Sequence, residues 1–396
     1  MIPIEKAIRI VTRETGELGT EKVAIENALG RILAENIVAD TDLPPFDRSQ
    51  MDGYAVRSTD IKTAATTLQI IGESAAGRGW HSKVGKGEAV RIMTGAPVPA
   101  GADTVVQIEL TSETNGQVTI QKSVAKGTSI VRKGSEIRKG KVVIKAREPI
   151  TPNNIATLAS FGYAKVQVAK RPRVSILATG SEIVAISKKP RRDQIRNSNS
   201  IMLKALAETV GAECEVFSPS GDDLANLKFQ ISNSAKGKDI LIITGGVSVG
   251  KYDLTKAALA ELGAEIFIEK TKLKPGKPMV FARLGKTLVF GLPGNPVSAA
   301  VTFYVFVRMA ILQLQGAKDT ELRKGLARLA GNVKAAKDRD TYLPATLAAD
   351  DGILTATSLR SQGSSDLVGF ARADSLIFLK AGESGKIGDT VDIYFL

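Results

Sequence analysis

Apolar positions change their period three times along this chain of 396 residues. Over Ile4–Glu14, and again over Lys22–Glu35, they recur at helical spacing. Ala24, Ile25, Ala28, Leu29 and Ile32 form one stripe, which predicts two helices before residue 40. Leu43-Pro44-Pro45-Phe46 ends that pattern. From there to about residue 145, short alternations between Gly and Pro turns predict strands at Val56, Leu68–Ile71, Glu88–Met93, Val105–Glu109, Val118–Gln121 and Val142–Ile144. Thr151–Gly162 reads as a helix again, with Pro152 in its first turn and Gly162 just past its end.

After Lys170-Arg171-Pro172 the texture becomes strand followed by helix. Strands are predicted at Val174–Ala178, Glu213–Phe217, Ile240–Thr244, Glu265–Glu269, Met279–Ala282 and Thr287–Phe290. Helices are predicted at Ser198–Val210, Leu224–Ser234, Leu254–Leu262 and Val297–Gln315. This alternation is the signature of a doubly wound α/β sheet, which binds ligands beyond the carboxyl ends of its strands. Those ends read Thr179-Gly180-Ser181-Glu182, Thr244-Gly245-Gly246 and Leu292-Pro293-Gly294-Asn295-Pro296. Beyond Gly316 a charged connection leads to 325–396, where alternation such as Val391, Ile393, Phe395 predicts a small β-barrel or sandwich. The fold class is therefore α/β plus β, with a β-rich insert, a central α/β domain and a C-terminal barrel.

Composition narrows the chemistry. Hydrophobic residues make up 43% and charged residues 24%, the balance of a soluble globular protein. No apolar run approaches the ~20 residues that span a bilayer, and the first seventeen residues lack a signal-peptide core. One cysteine, Cys214, and one histidine, His81, exclude a disulfide framework and leave a zinc site or a His-based triad implausible. A bound metal would need oxygen ligands, which favours Mg2+. A cytoplasmic location is the default. The formal charge of +13 invites nucleic acid, but the basic residues are scattered and no aromatic platforms interleave with them, so that partner is disfavoured.

The strongest chemical signal is Thr244–Lys256, a strand running into Gly245, Gly246 and Gly250 and then a helix. Glycine lets a backbone turn tightly and approach a ligand, and exposed N–H groups at a helix start attract anions. The device recurs at Leu288–Ser298. Gly245–Lys251 matches most of a nucleotide-binding P-loop, but Tyr252 stands where a Ser or Thr would ligate Mg2+. Asp253 and Asp222 read either as helix caps or as metal ligands. Lys270, Lys272, Lys274 and Lys277 lie between the two glycine turns and favour anion binding over a solvated edge. Asp47–Ala55 and Arg91–Pro97 are polar glycine-turn segments without a periodicity that explains them.

Six segments taken together closely resemble the molybdopterin molybdenumtransferase family, the MoeA and gephyrin E-domain group. They are PPFDRSQMDGYAVR (44–57), RIMTGAPVPAGADTVVQIE (91–109), LATGSEI (177–183), ITGGVSVGKYD (243–253), KPGKP (274–278) and GLPGNPVSA (291–299). Residues 325–396 match more loosely, through Arg339–Tyr342 and Gln362–Ser364. The resemblance implies four domains: a discontinuous one from 1–40 and 131–169, an insert at 41–130, an α/β domain at 170–318 and a barrel at 325–396. It also implies a homodimer whose active site is shared between subunits, and a reaction in which molybdate or tungstate and adenylylated molybdopterin give the metallated pterin and AMP. A separate molybdopterin adenylyltransferase would supply that substrate.

Carried over by position, the resemblance gives catalytic roles to Asp52, Thr94, Glu182, Lys270 and Lys274. Substrate contacts fall on Thr179, Gly180, Ser181, Gly245, Gly246, Ser248, Gly250, Pro293, Gly294, Asn295, Pro296, Arg339 and Ser364. Asp222 and Asp253 would hold Mg2+. Glu136 stands where relatives often carry Asp. The alternatives are a nucleotide hydrolase using the glycine loop, which Tyr252 opposes, and a non-enzymatic scaffold that binds pterin or protein. Adenylate cleavage needs charge stabilisation more than a strong nucleophile, so Lys, Mg2+ and backbone N–H groups suffice. The substrate's own dithiolene supplies the soft ligands that a Cys-poor chain lacks.

Overall fold

A computed structural model describes residues 1–221, 223–246, 254–359 and 363–396. The chain divides into two compact units, one made of Met1–Ala34, Arg147–Thr151 and Lys165–Leu396, the other of Glu35–Ala146 and Pro152–Ala164.

The first unit is built on a six-stranded sheet in the order Glu213–Val216, Arg173–Ala178, Ile240–Thr244, Thr287–Leu292, Pro278–Leu284, Glu265–Lys270. The first four strands are parallel, and the last two form antiparallel pairings at one edge. Side chains alternate between the two faces, as a strand demands. Val174, Ile176, Ile240 and Ile242 pack on one face with Leu203, Ala207 and the long helix from Pro296. Leu177, Leu241 and Ile243 pack on the other with Leu227, Ile231, Ala258 and Leu259. Every residue of Ile240–Thr244 is buried, so the strand reads as a continuous apolar run, as parallel strands covered on both faces do.

The helix over Pro296–Leu314 carries a π-helical stretch at Phe303–Val307. Against the expectation from the sequence, it is long and apolar enough to cross a membrane, 19 residues at a mean hydropathy of 1.7. It is 83% buried inside the protein, which identifies it as the core helix of this layer.

A second correction concerns Lys22–Glu35, which is not a helix. Thr20–Ala24 is a strand paired antiparallel with Lys165–Ala169, followed by a single 3-10 turn at Ile25–Asn27. A partner some 140 positions away overrides the local stripe, and Leu29 of that stripe is exposed.

Beyond the α/β layers, Asp340–Asp350, Ile353–Ser358, Lys324–Leu329, Thr390–Phe395 and Ser375–Leu379 close into a five-stranded barrel, because the long first strand also pairs with the last. Ala327, Leu329, Ala345, Ala356, Ile377 and Ile393 fill it. Leu273–Lys274 joins the barrel's edge alongside Asp340–Thr341, which ties the barrel to the α/β layers.

The second unit is organised by a mixed six-stranded sheet in the order Thr104–Gln107, Gly53–Val56, Glu88–Ile92, Thr66–Ser74, Gln117–Ile120, Thr111–Thr114. Its core is Tyr54, Val56, Leu68, Ala89, Val106, Val118 and Ile120. The helix Pro152–Ser160 belongs to this unit, as do two short strand pairs, Ile37–Val38 with Val142–Ile144 and Arg48–Ser49 with Ile130–Val131.

Candidate active site

A cavity of about 780 Å3 opens in the first unit at the carboxyl ends of its central parallel strands. Arg173–Ala178 delivers Ala178, Thr179, Gly180 and Glu182 to it, Ile240–Thr244 delivers Thr244, Gly245 and Gly246, and Thr287–Leu292 delivers Pro293, Gly294, Asn295 and Pro296. The two glycine turns are stitched together. The Gly245 N–H donates to the Leu292 carbonyl at 3.1 Å, and the Thr244 hydroxyl donates to the Pro293 carbonyl at 3.2 Å. Asn199 bridges them, its Nδ2 donating to Gly294 O at 2.7 Å and to Thr244 Oγ1 at 3.1 Å.

Glycine is required at two of these corners. Gly245 has φ +94°, and a Cβ there would stand 2.5 Å from the Thr179 carbonyl oxygen. Gly246 has φ +63°, and its Cβ would meet the hydroxyls of Thr179 and Thr255, each at 2.8 Å. Both positions are left-handed and walled by polar atoms, so the cradle keeps its shape only without side chains. Around it, Thr179 Oγ1, Thr255 Oγ1 and Asn199 Oδ1 are buried without a hydrogen-bond partner among the described residues. Buried polar atoms are normally satisfied, and two of these three belong to residues that line the cavity, Thr179 and Asn199.

The C-terminal barrel region reaches the same place. Asn295 Nδ2 donates to Ser364 Oγ at 2.8 Å, the Val297 N–H donates to Ser364 O at 3.1 Å, and Ser365 lines the cavity. Ser364 thus holds the Pro-Gly-Asn-Pro turn. Ser181 is exposed between two lining residues and does not itself line the cavity.

Other residues singled out by sequence stand elsewhere. Lys270 and Lys274 are not among the lining residues; Lys270 ends its strand opposite Pro278, which does line the cavity, and Lys274 is exposed beside Thr341. Arg339 pairs with Asp338 at 3.4 Å. Asp222, Ser248, Gly250 and Asp253, with Lys251 and Tyr252, lie outside the described residues. Several lining residues escaped the reading of the sequence, among them Arg196, Asn197, Ser198, Asn199 and Ser365. The signal available was the polar run Asn197-Ser198-Asn199, where Asn197 caps a helix and its neighbour faces the ligand space.

In the second unit, Asp52 and Thr94 form one exposed constellation. Asp52 Oδ1 accepts from the Thr94 backbone N–H at 2.6 Å and from the Thr94 hydroxyl at 2.8 Å. These two bonds, the backbone one first, hold the Asp52 carboxyl below the usual carboxylate range. Glu136 is exposed and pairs with Arg48 at 3.5 Å.

Three family descriptions cover nearly the whole chain: the MoeA N-terminal region (domains I and II) over residues 2–162, a probable molybdopterin binding domain over 175–313, and the MoeA C-terminal region (domain IV) over 326–396. Molybdopterin molybdenumtransferase from Staphylococcus aureus strain COL is 36% identical across 99% of this chain and 95% of its own length. The enzyme of that name from Bacillus subtilis strain 168 is 35% identical across 100% and 94%. Among solved structures, a molybdopterin biosynthesis MoeA protein from Pyrococcus horikoshii OT3 superposes with a TM-score of 0.87 at 29% identity, covering 100% of both chains. A second MoeA structure, from Pyrococcus horikosii, gives 0.82 at 33% identity, covering 100% of this chain and 99% of its own.

Proposed function

The chain belongs to the molybdopterin molybdenumtransferase family, and from that premise we propose that its cavity holds adenylylated molybdopterin while molybdenum from molybdate passes to the pterin dithiolene and the adenylate is cleaved to AMP. The chain is an enzyme of molybdenum cofactor biosynthesis. The finer reading is carried by the junction of the two glycine turns: a large cavity at the strand ends, with corners that exclude side chains and buried polar atoms left without partners beside it.

Phosphate oxygens are accommodated by the backbone at Gly245–Gly246, where nothing projects between ligand and peptide. Asn199 fixes the distance between the two turns and thereby the span of ligand that fits. Asp52 and Thr94 act from the partner protomer of a homodimer. The Asp52 carboxylate is oriented by its two bonds from Thr94, ready to meet the metal oxyanion or the pterin without reorganising. Lys270 and Lys274 supply positive charge to the incoming oxyanion.

The lining of the cavity fits a hard cation, since its described side chains offer hydroxyl, amide and carboxylate oxygens and neither a thiol nor an imidazole. Asp222 and Asp253, with Glu182, would hold Mg2+, which would neutralise charge on the phosphoanhydride. A separate adenylyltransferase delivers the substrate, and the reaction takes place in the cytoplasm.

The decisive experiment incubates the protein with adenylylated molybdopterin, Mg2+ and molybdate or tungstate, and follows AMP. Oxyanion-dependent AMP release in step with metallated pterin is the expected result. Absence of AMP, or ATP turnover without any pterin, would overturn the proposal.

A further inference from the structure

One wall of the cavity carries a charge that the reaction described above leaves unused. Within 185–196 the chain places Lys188, Lys189, Arg191, Arg192 and Arg196 against a single acid, Asp193. Among the described residues none of these five bases pairs with a carboxylate, although ion pairs are common elsewhere on the surface. Four of them are exposed on the connection between two very short parallel strands, Ile183–Val184 and Ile195–Arg196. The fifth, Arg196, lines the cavity.

Arg196 is exposed as well, but it is held in place. The Ile195 N–H donates to Glu182 O and the Asn197 N–H to Val184 O, both at 2.9 Å, which fixes the backbone on either side. Asn197 then caps the helix Ser198–Thr209, accepting from the Ser200 N–H at 3.2 Å. The Arg196 Nε donates to the Lys188 carbonyl at 3.2 Å, so the head is oriented while its two terminal nitrogens remain uncommitted among the described residues. A planar fork held by its Nε and free at its end is suited to two oxygens of one phosphoryl group, and a lysine could not reproduce it. The same cavity is lined by the glycine cradle, where the backbone can approach phosphate closely.

We propose that Arg196 is a substrate-binding residue that grips the phosphoanhydride of the ligand, and that the basic connection 185–194 steers this polyanion into the cavity. The inference rests on the reading of the cavity as a site for adenylylated pterin, and names the group that recognises its anionic part. A focused positive lobe at a cavity mouth raises the encounter rate of anions and loses that effect as salt screens it, over a Debye length of about 10 Å at 0.1 M. Nucleic acid is not the partner the residues favour, because the lobe carries no aromatic residue on which bases could stack.

The test uses the full-length protein and ADP as the probe of the phosphoanhydride, with dissociation constants and association rates measured across a salt series. Arg196→Gln should weaken ADP binding about tenfold, the effect of losing a charge-assisted pair, and should flatten the dependence of affinity on salt. Arg196→Lys should restore the salt dependence but only part of the affinity. Changing Lys188, Lys189, Arg191 and Arg192 together to Gln should slow association several-fold and leave dissociation unchanged. An Arg196→Gln protein with wild-type affinity and salt dependence would overturn the proposal, as would one that loses affinity with its salt dependence intact, since that describes a collapsed wall. If the unaltered protein binds neither ADP nor molybdopterin, the reading of the cavity itself fails, and the wild-type arm alone reveals it.

Discussion

The cavity of the α/β layers and the Asp52–Thr94 pair of the insert present polar groups in opposite ways. In the cavity part of the wall is bare backbone: Gly245 and Gly246 are in left-handed conformations, and the hydroxyls of Thr179 and Thr255 and the oxygen of Asn199 are buried nearby with nothing to bond. In the insert the functional group is a charged side chain, exposed and already satisfied by two hydrogen bonds from one residue. The first arrangement offers a shape whose corners admit a ligand where side chains are excluded, which makes it a binding device. The second stores orientation, and its carboxylate can act only on something brought to it. A family whose substrates are molybdopterin and molybdenum has use for both.

The comparison breaks first, and with the largest effect, at Asp52. If the exposed carboxylate serves chemistry, Asp52→Ala should lower oxyanion-dependent AMP formation by about a hundredfold or more, the scale seen when one preorganised polar group is lost from a reacting centre. Its thermal midpoint should stay within a degree or so of wild type, because the side chain is exposed and the Thr94 N–H it leaves can bond water. Pterin affinity should survive. Unchanged turnover would mean that the cavity does the chemistry alone.

The cavity's half of the contrast is sharpened by Gly245→Ala set beside Gly294→Ala. At Gly245 the added methyl meets both an unfavourable φ and the Thr179 carbonyl at 2.5 Å, a combination costing about 1–3 kcal/mol. The variant should lose a few degrees of thermal stability and most of its pterin affinity. At Gly294 the same methyl would meet only the Gly245 Cα, at an ordinary 3.7 Å, so little should change. Equal effects at the two positions would show that loop flexibility, and not the shape of the cradle, governs binding.

Much of this was legible in the chain, for reasons that differ by region. The buried parallel strands are readable because both faces are covered, so that Ile240–Thr244 appears as an uninterrupted apolar run and each strand end announces its loop. The barrel betrays itself through alternation at Val391, Ile393 and Phe395, of which Ile393 is fully buried. Lys22–Glu35 misleads because a two-stranded pairing with Lys165–Ala169 decides its structure, and no local pattern encodes a partner so distant. The Pro296–Leu314 helix is predicted almost to its ends, and only its tertiary burial tells its apolar length from that of a membrane segment. Arg196 and Asn199 belong to the same class of miss as Lys22–Glu35: the turn that aims them at the cavity is fixed by contacts with Glu182, Val184 and Gly294, which sequence spacing does not reveal.

The smallest effect, and the most discriminating for the insert, concerns how Asp52 is tuned. Its carboxyl is held below the ordinary value of 3.8 first by the Thr94 backbone N–H and second by the Thr94 hydroxyl. Thr94→Val removes only the second bond, so the Asp52 pKa should rise part of the way back, while Thr94→Ser should leave it in place. Because the folded-state pKa is depressed, the stabilisation it brings is present above the unfolded value and is lost as pH falls through the folded one. In the Val protein that acid-dependent loss should therefore be smaller, and the acid limb of AMP formation should move to higher pH, with under about a twofold change from ionisation at pH 7, where the carboxylate is charged in either case. Carboxyl titration by NMR reads the pKa directly. A Val variant that titrates like wild type would assign the whole tuning to the peptide N–H, and would make the turn Arg91–Pro97, not the Thr94 hydroxyl, the feature that prepares this carboxylate.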